Sequence, residues 1–216
     1  MRDRGHGFID RQTSLYIMPS MTMPRQTTDV RDGILDATEQ LFIMQGYCAT
    51  GINQIIYEAG VAKASFYHHF PSKVALAEAF IQRRHERWFQ AAEQRLAWEE
   101  GPRDKLLALF ELWTDQIRDE GFRGCLFVNM AAEFPNYESP IRQRIKAHKE
   151  SVRALIADLL SDYADSQKQA KAWVPDADTI YLLYDGALVE TQNFQADWPI
   201  HSANRTVARL LAEPTH

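Results

Sequence analysis

A chain of 216 residues suffices for one large domain or two small ones with a buried core, and 45% hydrophobic with 25% charged residues excludes disorder throughout. Its longest apolar runs are a few residues, far short of the roughly 18 that a membrane-spanning helix needs, and its net charge of -5, from Lys+Arg 24 against Asp+Glu 29, advertises no nucleic-acid partner. Two cysteines, Cys48 and Cys125, are too few for a disulfide framework or a cysteine zinc site and fit a reducing cytoplasm.

Residues 1–28 show neither a helical period nor the apolar core of a signal peptide. Met18, Met21 and Met23 are alternative starts to Met1. Arg2, Arg4, Arg11 and Arg25 outnumber Asp3 and Asp10, so the segment reads as a flexible tail or as a basic arm against DNA phosphates. From Asp29 onward the apolar spacing is helical, and no run alternates long enough for a strand. Ile34, Leu35, Thr38, Leu41 and Phe42 make the stripe of a first helix closed by Gly46. Ile52, Ile55, Ile56 and Ala59 make a second that stops at Gly60. A third spans Ala64 to Phe70, halted by Pro71. Ser72 caps a long fourth helix, 73–99, with Leu76, Phe80, Trp88, Phe89 and Leu96 on its inner face. A fifth carries Leu106, Leu109, Phe110, Trp113 and Ile117 and is broken by Gly121 and Gly124. A sixth runs from Cys125 to Phe134. The seventh starts near Pro140, with residues 162–171 open between helix and loop. The last two span Asp178–Ala196 and Ala203–Ala212. The expected fold class is all-α, with nine helices.

The second and third helices, joined at Gly60, have the proportions of a helix-turn-helix. Glycine suits that turn because it adopts positive φ without a Cβ penalty. Ile55, Val61 and Phe66 are spaced to hold the two helices on the first. The outward face of the third then presents Lys63, Ser65, Tyr67 and His68, donors that reach phosphates or base edges in a major groove.

The run Ile34-Leu35-Asp36-Ala37, Leu41-Phe42, Gly46-Tyr47, Ala49-Thr50, Ile52, Ile55, Ala59-Gly60-Val61, Lys63, Ser65-Phe66-Tyr67-His68-His69-Phe70 and Ser72-Lys73 resembles the DNA-binding segment of the TetR/AcrR family of bacterial transcriptional regulators. Gly124-Cys125-Leu126-Phe127-Val128-Asn129 through Glu133 is similar to the LmrA/YxaF-like subgroup. The resemblance implies an N-terminal helix-turn-helix domain over 29–73 and a regulatory and dimerisation domain over 74–216, with 1–28 as a tail. It implies a homodimer on a palindromic, double-stranded DNA operator, released by a small-molecule effector, with no cofactor, metal or membrane partner. DNA contacts are expected from Thr50, Lys63, Ala64, Ser65, Tyr67, His68 and Lys73. Three positions depart from the family's habit. Ile56 stands where alanine is common and adds volume at the first helix. Ala64 replaces a glycine. Ala62 replaces a Ser or Thr and forfeits an N-cap of about 0.5–2 kcal/mol.

Charge argues the other way: residues 29–71 hold Asp29, Asp32, Asp36, Glu39 and Glu58 against Arg31 and Lys63. The DNA reading therefore expects these acids to face away from the duplex, with helix N-termini supplying part of the docking. An ordinary helical bundle would explain Leu41, Ile55 and Phe66, but not Tyr67 beside Lys63 and His68. A DNA-binding regulator without a small-molecule switch and a helical enzyme or adaptor stay open as alternatives. Adjacent His68 and His69 cannot converge on one metal, and Cys125 with His148 reads more simply as core than as a nucleophile pair.

Beyond the fourth helix, Phe110, Trp113, Phe127, Asn129, Met130, Glu133, Tyr181, Tyr184 and Asp185 combine apolar walls with a few polar groups and are the expected effector site, with an aromatic-rich core as the alternative. Small Gly186 and Ala187, with Leu183, Val189 and Phe194, are the expected dimer contacts.

Overall fold

The computed structural model describes residues 29–167 and 174–212, so the tail reading of 1–28 and part of the open stretch 162–171 lie outside the described residues. The Asp29 carboxylate accepts from Arg31 N and starts α1 (Val30–Ala49), which buries Ile34, Leu35, Thr38 and Phe42. The regular helix stops at Gly46, as the sequence suggests. That glycine adopts φ 85, kinks the axis, and the chain resumes a helical turn through Ala49. α2 (Ile52–Ala59) closes on Gly60 in the left-handed region, φ 65, whose N–H donates back to Ile56 and Tyr57 carbonyls. α3 (Lys63–His69) begins at Ala62 with no side-chain cap, as that residue implies, and Phe66 and Phe70 anchor it in a core shared with Ile34, Leu35 and Ile55.

Ser72 Oγ accepts from Ala75 N at 3.0 Å and starts α4 (Lys73–Leu96). α5 (Pro102–Asp119), α6 (Leu126–Glu133), α7 (Pro140–Ser166), α8 (Ala177–Phe194) and α9 (Trp198–Leu210) follow, giving nine helices and no strand among the described residues. α4, α5, α7, α8 and α9 pack on one another as a bundle, while short α6 bridges α1 and α7. The last helix starts five residues before the expected Ala203. Pro199 sits in its first turn, where a missing N–H costs nothing, and Ile200, Ala203 and Val207 are its buried stripe.

α8 corrects part of the expected dimer face. Ala187 is buried and Leu183 packs on the core, whereas Leu182, Phe194 and Trp198 are exposed and Gly186 has open space in front of it. Of the expected contacts, Gly186 and Phe194 face outward, while Ala187 and Leu183 turn to the core.

Candidate nucleic-acid interface and effector cavity

On α3, Lys63, Ala64, Tyr67 and His68 lie together on one exposed face, at the i, i+1, i+4, i+5 spacing of a helical surface. Ser65 is half-buried beside them. Lys73 stands at the start of α4, its ammonium 4.1 Å from the Tyr47 ring centroid. Burial lowers its pKa, an effect partly opposed by Cys48 and Glu133. Thr50 does not join this surface as a side-chain donor. It is 1% exposed, its hydroxyl donates to Gly46 O at 2.6 Å, and it accepts from Gln45 Nε2, so it ties down the kink instead. Tyr57, on α2, is 81% exposed and was overlooked. The signal was available: an aromatic residue off the Ile52–Ile55–Ile56–Ala59 stripe must point outward.

Two of the five acids that argued against DNA are neutralised from behind. Asp36 and Glu39 on α1 pair with Arg83 and Arg87 of α4, and Glu39 also accepts from Arg84 at 2.8 Å. Arg84 is buried and reaches Glu120 past the end of α5 with its other amino group. Burial alone would weaken its charge, but the two carboxylates raise its pKa.

A second joint meets the kinked end of α1. The Glu133 carboxylate at the end of α6 accepts from Tyr47 N at 2.9 Å and Cys48 N at 2.5 Å. Burial pushes the Glu133 pKa up, but these backbone donors hold it below the usual carboxylate value. Arg123 donates from the other side to Ile43 O, at 2.9 Å, and to Met44 O. A Cβ on Gly46 would stand 2.7 Å from Glu133 Oε1 and push that carboxylate off its donors, and the positive φ of 85 strains any other residue there.

The nine expected effector residues do not converge. Phe110, Trp113 and Tyr184 are solid core, with Trp113 Nε1 donating to Tyr184 Oη. Asn129, Met130 and Glu133 face a small gap of about 170 Å³ between α6 and the end of α1. Asp185 is paired with Lys149, and Tyr181 is half-buried. Phe127 alone lines the larger cavity, of about 570 Å³, between α6 and α7. The other walls are Val128, Ala131 and Ile145, with Arg142, Lys146 and Lys149. Those three cations recur at i, i+4, i+7, one helical face that the sequence displays once α7 is recognised.

Behind the cavity wall, Phe127 stacks on His148 with centroids 3.6 Å apart, and His148 Nδ1 meets His85 Nδ1 of α4 at 3.2 Å. Cys125 is buried with Lys149 Nζ at 3.3 Å, so His148 and Cys125 are not one nucleophilic pair.

This arrangement has close counterparts. Residues 34–80 match the profile of bacterial regulatory proteins of the tetR family, and 102–206 match the tetracyclin repressor-like C-terminal domain. The chain belongs to the TetR family. Within it, the chain is 28% identical over 190 residues to the HTH-type transcriptional repressor NemR of Escherichia coli, covering 86% of this chain and 96% of that one. Over 43 residues it is 56% identical to the HTH-type transcriptional regulator LmrA of Bacillus subtilis, 20% of this chain and 23% of that one. The crystal structure of SCO4454, a TetR-family regulator from Streptomyces coelicolor, superposes with a TM-score of 0.75 at 25% identity, covering 84% and 94% of the two chains. These TetR-family relatives are transcriptional regulators, not enzymes, and DNA-binding regulation of transcription is the function of this chain.

Proposed function

We propose that the protein is a ligand-responsive repressor that binds a palindromic operator as a homodimer and is released by a small-molecule effector in the cavity between α6 and α7. One observation carries this reading: α6 is at once a wall of the cavity, through Phe127, Val128 and Ala131, and the holder of α1, through Glu133. An occupant that shifts α6 disturbs the seat of the helix-turn-helix. It also presses on Phe127, behind which His148 leans on His85 of α4. Since DNA demands one separation of two recognition helices, a small change raises the cost of gripping both half-sites.

The DNA module is assigned to 29–73 and the regulatory part to 74–216, with α4 as the link. Lys63, Ala64, Ser65, Tyr67 and His68 enter the groove. Lys73 and exposed Tyr57 flank it on phosphates, while Thr50 acts only by fixing the kink. Leu182, Gly186, Phe194 and Trp198 form the dimer face, supported by their exposure on α8 and α9 and by the Phe194–Trp198 ring contact. A cytoplasmic location suits a DNA-binding regulator, and no described helix is long and apolar enough to cross a membrane. Footprinting on the DNA upstream of its own gene should protect two symmetric half-sites, and light scattering should give twice the chain mass. A monomer both free and on DNA would refute the assembly.

A further inference from the structure

The cavity between α6 and α7 is within the usual size of small-molecule sites. Its floor is apolar, and its lining includes three cations and no carboxylate. Two of those cations are already matched. Lys149 pairs with Asp185, and Lys146 pairs with Glu150 one turn along α7 at 2.9 Å. Arg142 is not: among the described residues no carboxylate lies within ion-pair distance of it. One of its five donors goes to Ala131 O at 2.8 Å, and its guanidinium rests 4.6 Å from the Tyr137 ring centroid. That leaves a planar, oriented fork of N–H groups beside an apolar floor, near a mouth marked by exposed Tyr137.

We propose that the effector is an amphipathic monocarboxylate. Its apolar body covers Phe127, Val128, Ala131 and Ile145, and its carboxylate takes the bidentate geometry that Arg142 offers. A single negative charge matches the single unpaired cation. A polyanion would have to share Lys146 and Lys149 with Glu150 and Asp185. This inference rests on the ligand-responsive reading and supplies the chemistry of its effector.

Titration calorimetry of the intact protein with octanoate, decanoate, dodecanoate and 4-phenylbutyrate, against 1-decanol as the neutral control, tests the site without DNA. At least one carboxylate should bind, and 1-decanol should bind at least about tenfold more weakly than decanoate. Arg142→Gln should weaken the carboxylate by about tenfold or more and leave the alcohol unchanged. Arg142→Lys should fall between, since it keeps the charge and loses the fork. Equal binding of acid and alcohol, indifference to Arg142→Gln, or binding of no carboxylate overturns the proposal. The regulatory reading is judged separately on the footprinted operator. Carboxylate binding that leaves DNA affinity unchanged would preserve this site and overturn induction.

Discussion

At the joint between α1 and α4, side chain meets side chain: Asp36 and Glu39 on one helix, Arg83, Arg84 and Arg87 on the other. At the joint between α1 and α6, side chain meets backbone: Glu133 holds two N–H groups just past Gly46, and Arg123 holds two carbonyls just before it. Long, multiply paired side chains follow one another as helices slide, so the first joint carries α1 and α4 as one body. Backbone-directed hydrogen bonds depend steeply on distance and angle, so the second fixes one turn of α1 against α6 and loosens when either moves. Only the second is attached to the cavity wall. The difference separates a joint that transmits rigidity from one that can be switched.

The largest effect is expected at the first joint. Arg84→Ala takes the guanidinium from Glu120 while Glu39 keeps Arg83 and Arg87, so the loss should cost about 3 kcal/mol, the low end for a broken buried pair. Urea denaturation should show it, with binding to DNA lost in parallel. A change under about 1 kcal/mol would mean that Glu120 finds another partner, and that the joint is not the rigid one.

Acid attacks the contact between α4 and α7. Burial, then Lys149, His85 and Arg84, push the His148 pKa from 6.5 down to about 3. The unfolded chain takes up this proton below pH 6.5 while the folded chain refuses it until about pH 3. The contribution of His148 is therefore complete above pH 6.5 and falls as the pH drops, by up to about 1.4 kcal/mol per unit. His148→Phe keeps an aromatic ring against Phe127 and should flatten the stability profile between pH 6.5 and 4. Parallel profiles for the two proteins would contradict a neutral, buried imidazole.

How far these joints were legible in the sequence differs sharply. The helix-turn-helix was legible because Gly60, the Ile55–Val61–Phe66 spacing and the Ser72 cap are local signals, each acting within a few residues. Glu133 was singled out, but as a cavity residue, because its partners are backbone N–H groups 85 and 86 positions away that leave no trace in side-chain pattern. The aromatic residues Phe110, Trp113 and Tyr184 looked like a binding site for a related reason. Composition does not distinguish a wall from a filled core, and only the packing shows that Trp113 and Tyr184 satisfy each other. Two acids of α1, Asp36 and Glu39, raised an objection that was answered by arginines some 45 residues later.

The second joint should respond more gently. Glu133→Gln offers one acceptor oxygen where two backbone donors converge, and should cost about 1–2 kcal/mol. Its sharper signature is functional: occupancy of the cavity should change DNA affinity less than in the parent protein. An unaltered ratio would remove Glu133 from the coupling and shift it to the His148–His85 contact.

The smallest effect lies at the duplex itself. Lys73→Ala should weaken all DNA sequences about equally and reduce the salt slope by about one. It also removes the ammonium from the Tyr47 ring, a contact worth about 0.5–1 kcal/mol of stability. An unchanged slope would confine Lys73 to the folded chain's own packing.

The switched joint also contains its own reporter. Cys48 is exposed beside Glu133, whereas Cys125, the only other cysteine in the chain, is buried. The Glu133 carboxylate raises the Cys48 pKa by accepting from its thiol and by its charge, with burial adding to the effect. Thiolate is the reactive form, so a held joint makes a sluggish thiol and a released one an ordinary thiol. The labelling rate at this one sulfur is thus a clock for the joint, readable without DNA, without an engineered probe and before the effector has a name.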